Sequence, residues 1–254
     1  MTKPEFDLIV FGATSFVGQI LCRYLLQRNG ANGDQGLRWA MAGRSQSKLE
    51  QTRASLGADA ADLTLLSANA DDENALRELC AQTKVIISTV GPYALYGNEL
   101  VKVCAESGTD YCDLTGETQW IARMLEQHEA TAKANGARIV HCCGFDSIPS
   151  DLGVLYTQQQ AVEKFGSACN QIKMRVKGAK GGASGGTVAS LLNATKEVLG
   201  DPAVRKLMQN PYSICPPEGR PKTRQPNVKA AEFDQDAGAW VAPFVMAAIN
   251  TRIV

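Results

Sequence analysis

The sequence has few of the features that are typical of metal-binding, nucleic-acid-binding, membrane-spanning and secreted proteins. It contains two histidines and no Cys-x-x-Cys pair, so we expect no metal site. Its 26 basic and 26 acidic side chains balance, which gives no reason to expect a nucleic-acid partner. No apolar run approaches the roughly 18–20 residues that cross a bilayer. Residues 1–5 lead directly into the first apolar run, so we also expect no signal peptide.

The sequence does contain eight cysteines, most of them within apolar runs that we expect to be buried. We interpret them as reduced thiols in the core of a cytoplasmic protein, since the cytosol keeps thiols reduced. They are Cys22, Cys80, Cys104, Cys112, Cys142, Cys143, Cys169 and Cys215.

Short apolar runs alternate with helical patterns through residue 143. Runs that are apolar along their whole length are typical of parallel strands covered on both faces. Their alternation with helices predicts an α/β fold with a doubly wound, Rossmann-type parallel sheet. We expect its strands at 7–12, 37–42, 63–66, 85–90, 110–112 and 138–143. The spacing in the first helix places Val17, Ile20, Leu21, Tyr24 and Leu25 on one helical face.

The first apolar run ends in a glycine-containing turn, and a helical pattern follows at once. A strand, a tight turn and a helix N-terminus together bind a dinucleotide pyrophosphate, because the helix offers free N–H groups and the positive end of its dipole. Thr14 and Ser15 stand where the usual fingerprint has its middle glycine, and an ordinary capped turn is the alternative. The predicted cofactor contacts in this turn are Gly12, Thr14, Ser15, Phe16, Val17 and Gly18.

The end of the second strand predicts which dinucleotide binds. No carboxylate stands there to bond the ribose 2′-hydroxyl of NAD; instead Arg44 and Ser45 follow, with Lys48 one turn later. A guanidinium can bind a 2′-phosphate with two hydrogen bonds, and a serine hydroxyl can add another. We therefore predict NADP(H) as the cofactor. A solvated arginine in a turn is the alternative.

Ligands of doubly wound sheets bind beyond the carboxyl ends of the strands. We expect the backbone after the fourth strand to approach the nicotinamide ribose at Thr89, Val90, Gly91 and Pro92. The candidate proton donors are Tyr93, Tyr111 and Asp146, each near such an end.

Other polar residues in these segments have simpler interpretations. Glu117 is a further candidate carboxylate, whereas Asp113 and Asp146 can hold their loops by bonding backbone N–H groups. His128 and His141 are expected to be core residues.

A chain of 254 residues is long enough for two modest domains, and the pattern changes near residue 150. We assign 1–150 to a Rossmann domain that binds NADP(H) and 151–254 to the start of a substrate or dimerisation domain. This second α/β domain is expected to be incomplete, because the chain stops just after an apolar segment. Within it we expect helices at 150–164 and 187–199 and a strand with one solvent-exposed face at 171–177. We expect an irregular, proline-rich connection at 200–226.

Five motifs in register resemble the saccharopine dehydrogenase-like oxidoreductases, particularly the branch with trans-acting enoyl reductases of bacterial polyketide-lipid synthesis. The motifs lie at 11–18, 42–45, 88–93, 111–117 and 144–151. The resemblance implies a Rossmann domain that binds NADP(H) and a second domain that closes over the substrate. It also implies a small-molecule or acyl-thioester substrate, with association of the protein with a synthase, a membrane surface or a second copy of itself.

Three functions are compatible with these features. The first is an NADP(H)-dependent reductase of an enoyl, acyl or polyketide-lipid substrate. The second is a saccharopine-type amino-acid dehydrogenase, which needs cations for its substrate carboxylates; Lys173, Arg175 and Lys177 are available, although a solvated strand face explains them equally well. The third is a non-catalytic sensor that binds NADP(H).

Overall fold

The computed structural model describes residues 4–31, 36–226 and 228–253. The chain divides into two compact units. The first comprises Met1–Cys143 and Ala183–Lys196, and the second comprises Gly144–Gly182 and Glu197–Val254.

The first unit is built on a parallel sheet, which within the described ranges has six strands in the order β3-β2-β1-β4-β5-β6. The strands are β1 (Phe6–Phe11), β2 (Trp39–Gly43), β3 (Thr64–Ser67), β4 (Thr83–Ser88), β5 (Asp110–Asp113) and β6 (Ile139–Val140). The predicted Rossmann-type sheet is thus confirmed. Strand order reverses between β1 and β4, which is where sheets of this kind bind ligands.

Helices alternate with these strands, and the first three begin at a capping side chain. They are α1 (Phe16–Asn29), α2 (Gln46–Leu56), α3 (Glu73–Gln82), α4 (Tyr93–Tyr96), α5 (Asn98–Ser107) and α6 (Thr118–Asn135). Ser15, Ser45 and Asp72 cap α1, α2 and α3, each accepting a hydrogen bond from an N–H of the first turn. Gly108 and Gly136 end α5 and α6 in the left-handed conformation.

The core lies on both faces of the central strands. Ile9 and Val10 of β1, and Met41 of β2, are completely buried. One side packs β1 and β2 against α1 and α2, with Trp39 and Leu49 in the same cluster. Burial on both faces explains why these strands are apolar along their length.

Helix α1 does not bury the whole of its apolar face. Ile20 and Tyr24, which share that face, are each 53% exposed. The buried stripe is instead Gly18, Cys22 and Leu25. The helix is rotated because Gly18 alone allows its backbone to approach the loop before it, as shown below.

The last strand is shorter than predicted. It ends at Val140 rather than at residue 143, and Cys142 has a positive φ of 62°. The chain leaves the sheet because the carboxylate of Asp113 binds both the His141 ring and the Cys142 N–H.

The second unit combines helices with a small hairpin. Its elements are α7 (Ile148–Phe165), the end of α8 (Gly185–Gly200), α9 (Pro202–Gln209), the antiparallel strands β7 (Glu232–Asp234) and β8 (Ala239–Val241), and α10 (Ala247–Ile253). The helices predicted at 150–164 and 187–199 are confirmed by α7 and α8. The irregular connection predicted at 200–226 was wrong in part, because Asp201 caps α9 and Pro202 occupies its first position, where no N–H is required.

The strand predicted at 171–177 was also wrong. The segment has no regular secondary structure, and Met174 is 51% exposed. A strand needs a neighbour for its backbone hydrogen bonds, and only side chains pair here. Lys173 forms an ion pair with Asp236, and Arg175 forms one with Asp234.

None of the eight cysteines, all of which lie in the described ranges, forms a disulfide; Cys22, Cys80, Cys104 and Cys142 are buried, whereas Cys143 and Cys169 are exposed. Among the described residues, none of the helices combines the length and apolarity that a membrane span requires.

We expect Ile86→Ala to lower the free energy of unfolding by about 2–5 kcal/mol, because it leaves a cavity in the centre of the sheet. Ile86 lies on β4, opposite Ile9 on one side and Tyr111 on the other, and is completely buried. The matched control is Ile20→Ala on the exposed face of α1, which should change stability by no more than about 0.5 kcal/mol. Urea denaturation measures both, and equal losses would contradict this packing.

Candidate functional site

The turn after β1 requires glycine at its first position. Gly12 has a φ of +90°, and a Cβ atom there would lie 2.7 Å from Thr89 Oγ1 and 2.7 Å from a methyl group of Val90. Any other residue would be strained and would also collide with the loop after β4. The two loops at the reversal of strand order are therefore in direct contact.

Helix α1 begins against this same turn. A Cβ atom on Gly18 would lie 2.2 Å from the carbonyl oxygen of Gly12, so only glycine permits this approach. Ser15 Oγ accepts a hydrogen bond from Gly18 N at 2.9 Å. The N–H groups of Phe16 and Val17 make no hydrogen bond with other described residues. These free donors, with the positive end of the helix dipole, form an anion site.

Thr89 connects the two loops through its hydroxyl. Thr89 Oγ1 donates to the carbonyl of Gly12 at 2.9 Å and lies 2.9 Å from Ser15 Oγ, which then acts as the donor. Ser15 was expected to contact the cofactor through its hydroxyl and Thr89 through its backbone; in the structure both hydroxyls hold the turn in shape. The sequence contains no signal for this pairing, because the two residues are 74 positions apart.

The loop after β2 presents cations beside the turn. Arg44 is exposed and makes no ion pair within the described ranges. Ser45 Oγ accepts from Lys48 N at 3.4 Å and so caps α2. A cavity of about 300 Å³ lies between the turn and α2 and is lined by Thr14, Gln19, Lys48, Gln51, Thr52 and Ser55. Thr14 and Lys48 thus face a common space.

A buried carboxylate holds the loop after β4. Glu117 Oε1 accepts hydrogen bonds from Tyr93 N and Ser190 Oγ, both at 2.8 Å, and Oε2 accepts from Ala94 N at 3.0 Å. The peptide bond between Gly91 and Pro92, just before this contact, is cis. Glu117 had been a candidate acid; in the structure its oxygens are occupied by protein donors.

The two candidate tyrosines are both buried, Tyr93 at the start of α4 and Tyr111 on β5. Tyr93 donates to the carbonyl of Ser88 at 3.0 Å, while the Tyr111 hydroxyl has no hydrogen-bond partner in the described part of the chain. Burial, reinforced by the charge of Asp113, raises the pKa of both phenols well above the usual value. Asp146, the third candidate, is exposed and belongs to the second unit.

Asp113 and His141 form a buried pair at the ends of β5 and β6. His141 Nδ1 lies 2.6 Å from Asp113 Oδ2, and the ring packs edge-on against Trp120, with centroids 5.0 Å apart. Asp113 Oδ1 accepts from Thr115 N at 3.0 Å and Cys142 N at 3.2 Å. The predicted loop-holding role of Asp113 is confirmed.

The pairing of His141 was missed by the sequence analysis. The histidine was taken as a core residue inside a strand, but it follows the strand and its side chain keeps 9% of its surface exposed. The sequence did contain one signal for this pairing. Asp113 and His141 both stand near the carboxyl ends of predicted strands, where ligands of such sheets bind. Across the described residues, no group of three or more His, Cys, Asp or Glu side chains could hold a metal ion.

A family model for the saccharopine dehydrogenase NADP binding domain matches residues 8–140, more than half of the chain. The chain belongs to this family. The expected resemblance and the expected cofactor, NADP(H), are confirmed. The matched range contains the turn after β1, the Arg44 loop and the loop after β4.

Similar proteins of known name are longer than this chain. A trans-acting enoyl reductase of Mycobacterium tuberculosis (strain ATCC 25618 / H37Rv) is 38% identical over 99% of this chain, and one of Mycobacterium leprae is 36% identical over 99%. The chain spans 61% of the length of each. A solved structure, apo saccharopine dehydrogenase (L-Glu forming) from Saccharomyces cerevisiae, is 18% identical to this chain, with a TM-score of 0.48. The match covers 62% of this chain and 32% of the yeast chain.

The residues of this NADP-binding domain fit the cofactor. The glycine turn has no room for a side chain, and within the described part of the chain the N–H groups of Phe16 and Val17 at the start of α1 have no partner and Arg44 makes no ion pair. These are the donors that a pyrophosphate and a 2′-phosphate require.

We expect Gly18→Ala to abolish measurable NADPH binding and to destabilise the chain by about 1–3 kcal/mol, because the added methyl group displaces α1 from the turn. The matched control is Gly153→Ala in α7, where a Cβ atom would meet nothing within 4 Å. That change should stabilise by about 0.5–1 kcal/mol and leave NADPH binding unchanged. Fluorescence titration and urea denaturation measure both effects; a Gly18→Ala variant that binds NADPH normally would refute the close approach.

Proposed function

We propose that this chain carries the hydride-transfer half of an NADP(H)-dependent oxidoreductase that reduces an enoyl or acyl thioester of the polyketide-lipid type. The proposal rests on one observation, the glycine turn beside Arg44, in a chain that belongs to an NADP-binding family. Arg44 makes no ion pair with any other described residue. The names of its relatives support the enoyl substrate. When bound, NADPH supplies the hydride, and the protein must position both reactants and exclude water.

The proposed cofactor contacts divide by the part of NADP(H) that they hold. The pyrophosphate lies on the turn after β1, the 2′-phosphate on the loop after β2, and the nicotinamide ribose on the loop after β4. In that order the residues are Gly12, Thr14, Ser15, Phe16, Val17 and Gly18; Arg44, Ser45 and Lys48; Thr89, Val90, Gly91 and Pro92.

The domain division and the proton donor are part of this proposal. Residues 1–150 are assigned to cofactor binding and 151–254 to the start of a substrate or dimerisation domain. Tyr93, Tyr111 and Asp146 stay the sequence-based candidates for the proton donor, and the proposed function does not depend on any one of them.

The amino-acid dehydrogenase alternative gains no support from its candidate cations. Lys173 and Arg175 pair with Asp236 and Asp234 of the same unit. Cations that are already neutralised by carboxylates of the protein are poorly suited to bind substrate carboxylates.

The partners and location follow from the proposed substrate. A trans-acting reductase takes its acyl-thioester substrate from a synthase, so synthase association is the expected contact. A peripheral membrane contact and a homodimer are further parts of the proposal. A cytoplasmic location is supported by the eight cysteines, none of which forms a disulfide in the described part of the chain.

Arg44→Asp should weaken NADPH binding about 10- to 100-fold, the range expected when a charged hydrogen bond to phosphate is lost and a like charge replaces it. NADH binding should not weaken, because NADH lacks the 2′-phosphate. Arg23→Asp, an exposed change on α1 with the same charge difference, is the matched control and should leave both affinities unchanged. Calorimetric titration with both nucleotides decides, and unchanged affinity for both in Arg44→Asp would remove the basis for the NADP assignment.

The reaction is tested by NADPH consumption against enoyl thioesters, ketones and keto-acid with amino-acid pairs. Turnover confined to enoyl or acyl thioesters is the expected result. Turnover confined to amino-acid pairs would replace the proposal with a dehydrogenase. NADPH binding without turnover of any substrate, measured with the full-length protein, would replace it with a non-catalytic sensor.

A further inference from the structure

The Asp113–His141 pair has no role in the function proposed so far. It lies within the first unit, at the carboxyl ends of β5 and β6. Asp113 pairs in register with Ser88, the last residue of β4, and Thr89 begins the proposed nicotinamide loop directly after it. The pair therefore stands one strand away from the place where hydride is transferred.

The carboxylate of Asp113 is fixed before any substrate binds. It is buried, and its Oδ1 accepts two backbone hydrogen bonds, from Thr115 and Cys142. The other oxygen, Oδ2, is left for the histidine. A carboxylate held in this way binds a protonated Nδ1 and so determines which tautomer the imidazole adopts.

The opposite ring nitrogen is available for chemistry. His141 Nε2 makes no hydrogen bond with any other described residue, although the side chain is 9% exposed. Trp120 and Tyr111 pack against the ring and fix its plane. The groups that titrate around it are Asp113 and Tyr111 on β5, while α6 contributes the uncharged Trp120.

The neighbouring phenols are less suited to give up a proton. The Tyr93 hydroxyl is bonded to the carbonyl of Ser88, and Tyr111 is completely enclosed. Burial raises the pKa of both groups, which makes each a weaker acid.

We propose that His141 is the proton donor of the reduction, with Asp113 as its positioning residue; this rests on the proposed function. NADPH would supply the hydride, which leaves the nicotinamide C4 with its electron pair and forms a new C–H bond at the β-carbon of the enoyl thioester, so that NADPH is oxidised to NADP⁺ and the substrate is reduced. The π electrons of the double bond move to the α-carbon and the thioester carbonyl as an enolate. The imidazolium of His141 then gives its Nε2 proton to the α-carbon and becomes neutral imidazole, and a proton taken up from solvent restores the imidazolium.

The first test measures the tautomer directly and needs no turnover. With only two histidines in the sequence, ¹⁵N NMR of the imidazoles gives two sets of signals, and His128→Gln assigns them. We expect the neutral His141 ring to carry its proton on Nδ1. In Asp113→Asn the amide N–H₂ can donate to Nδ1, so the proton should move to Nε2. A wild-type ring protonated on Nε2, or no change in Asp113→Asn, overturns the orienting role of Asp113.

The second test measures turnover of NADPH with an enoyl thioester in the same chain. His141→Gln should lower kcat at least about 100-fold, the usual contribution of general acid catalysis, while KM and the NADPH Kd change less than about twofold. His128→Gln on α6 is the matched control and should retain wild-type kcat. Loss of NADPH affinity together with kcat in His141→Gln would show a structural role and overturn the proposal.

Failure of the His141 donor role and failure of the proposed function would give different experimental results. If wild-type protein consumes NADPH with enoyl thioesters and His141→Gln is equally fast, His141 is not the donor and the proposed function stands. If wild-type protein binds NADPH but reduces no substrate, the proposed function falls, and the donor role falls with it.

Discussion

The structure depends on one close approach, that of the Gly18 backbone to the carbonyl of Gly12. It brings the start of α1 against the turn after β1 and so directs unpaired amides toward the same point as the helix dipole. It also rotates α1, which is why Cys22 and Leu25 are buried while Ile20 and Tyr24 face outward. The packing of the helix and the shape of the phosphate turn are therefore one constraint, and a methyl group at Gly18 disturbs both.

Around this turn, buried polar groups hold together loops that are distant in the sequence. The Thr89 hydroxyl binds the turn, Glu117 binds the amides after β4, and Asp113 binds those after β5 and β6. A buried carboxylate is stable only when its oxygens have donors, and in return it fixes the backbone that supplies them. The carboxyl edge of the sheet is preorganised in this way, which is a property that hydride transfer requires.

Much of this arrangement follows from local patterns in the sequence. Fully apolar strands alternating with capped helices predicted the parallel sheet, and the glycine turn after β1 predicted the nucleotide site, because period and turn chemistry act over a few residues. The predictions were wrong where contacts with residues distant in the sequence determine the local structure. Residues 171–177 alternate like a strand but have no neighbour for their backbone, and Pro202 marks the start of a helix rather than an irregular connection. His141 has the ordinary pattern of a core residue, and only its contact with Asp113 distinguishes it.

By itself the sequence determined the fold class, the cofactor and the positions of the glycine turn and the Arg44 loop, since each depends on residue types at short spacing. Only the tertiary structure decided which face of α1 is buried, which hydroxyls hold the turn and which acid meets the histidine. Those outcomes depend on atoms that lie tens of positions apart in the chain and within 3 Å in space, as Ser15 and Thr89 do at 2.9 Å. No local pattern records such a distance, because it results from how the whole sheet packs.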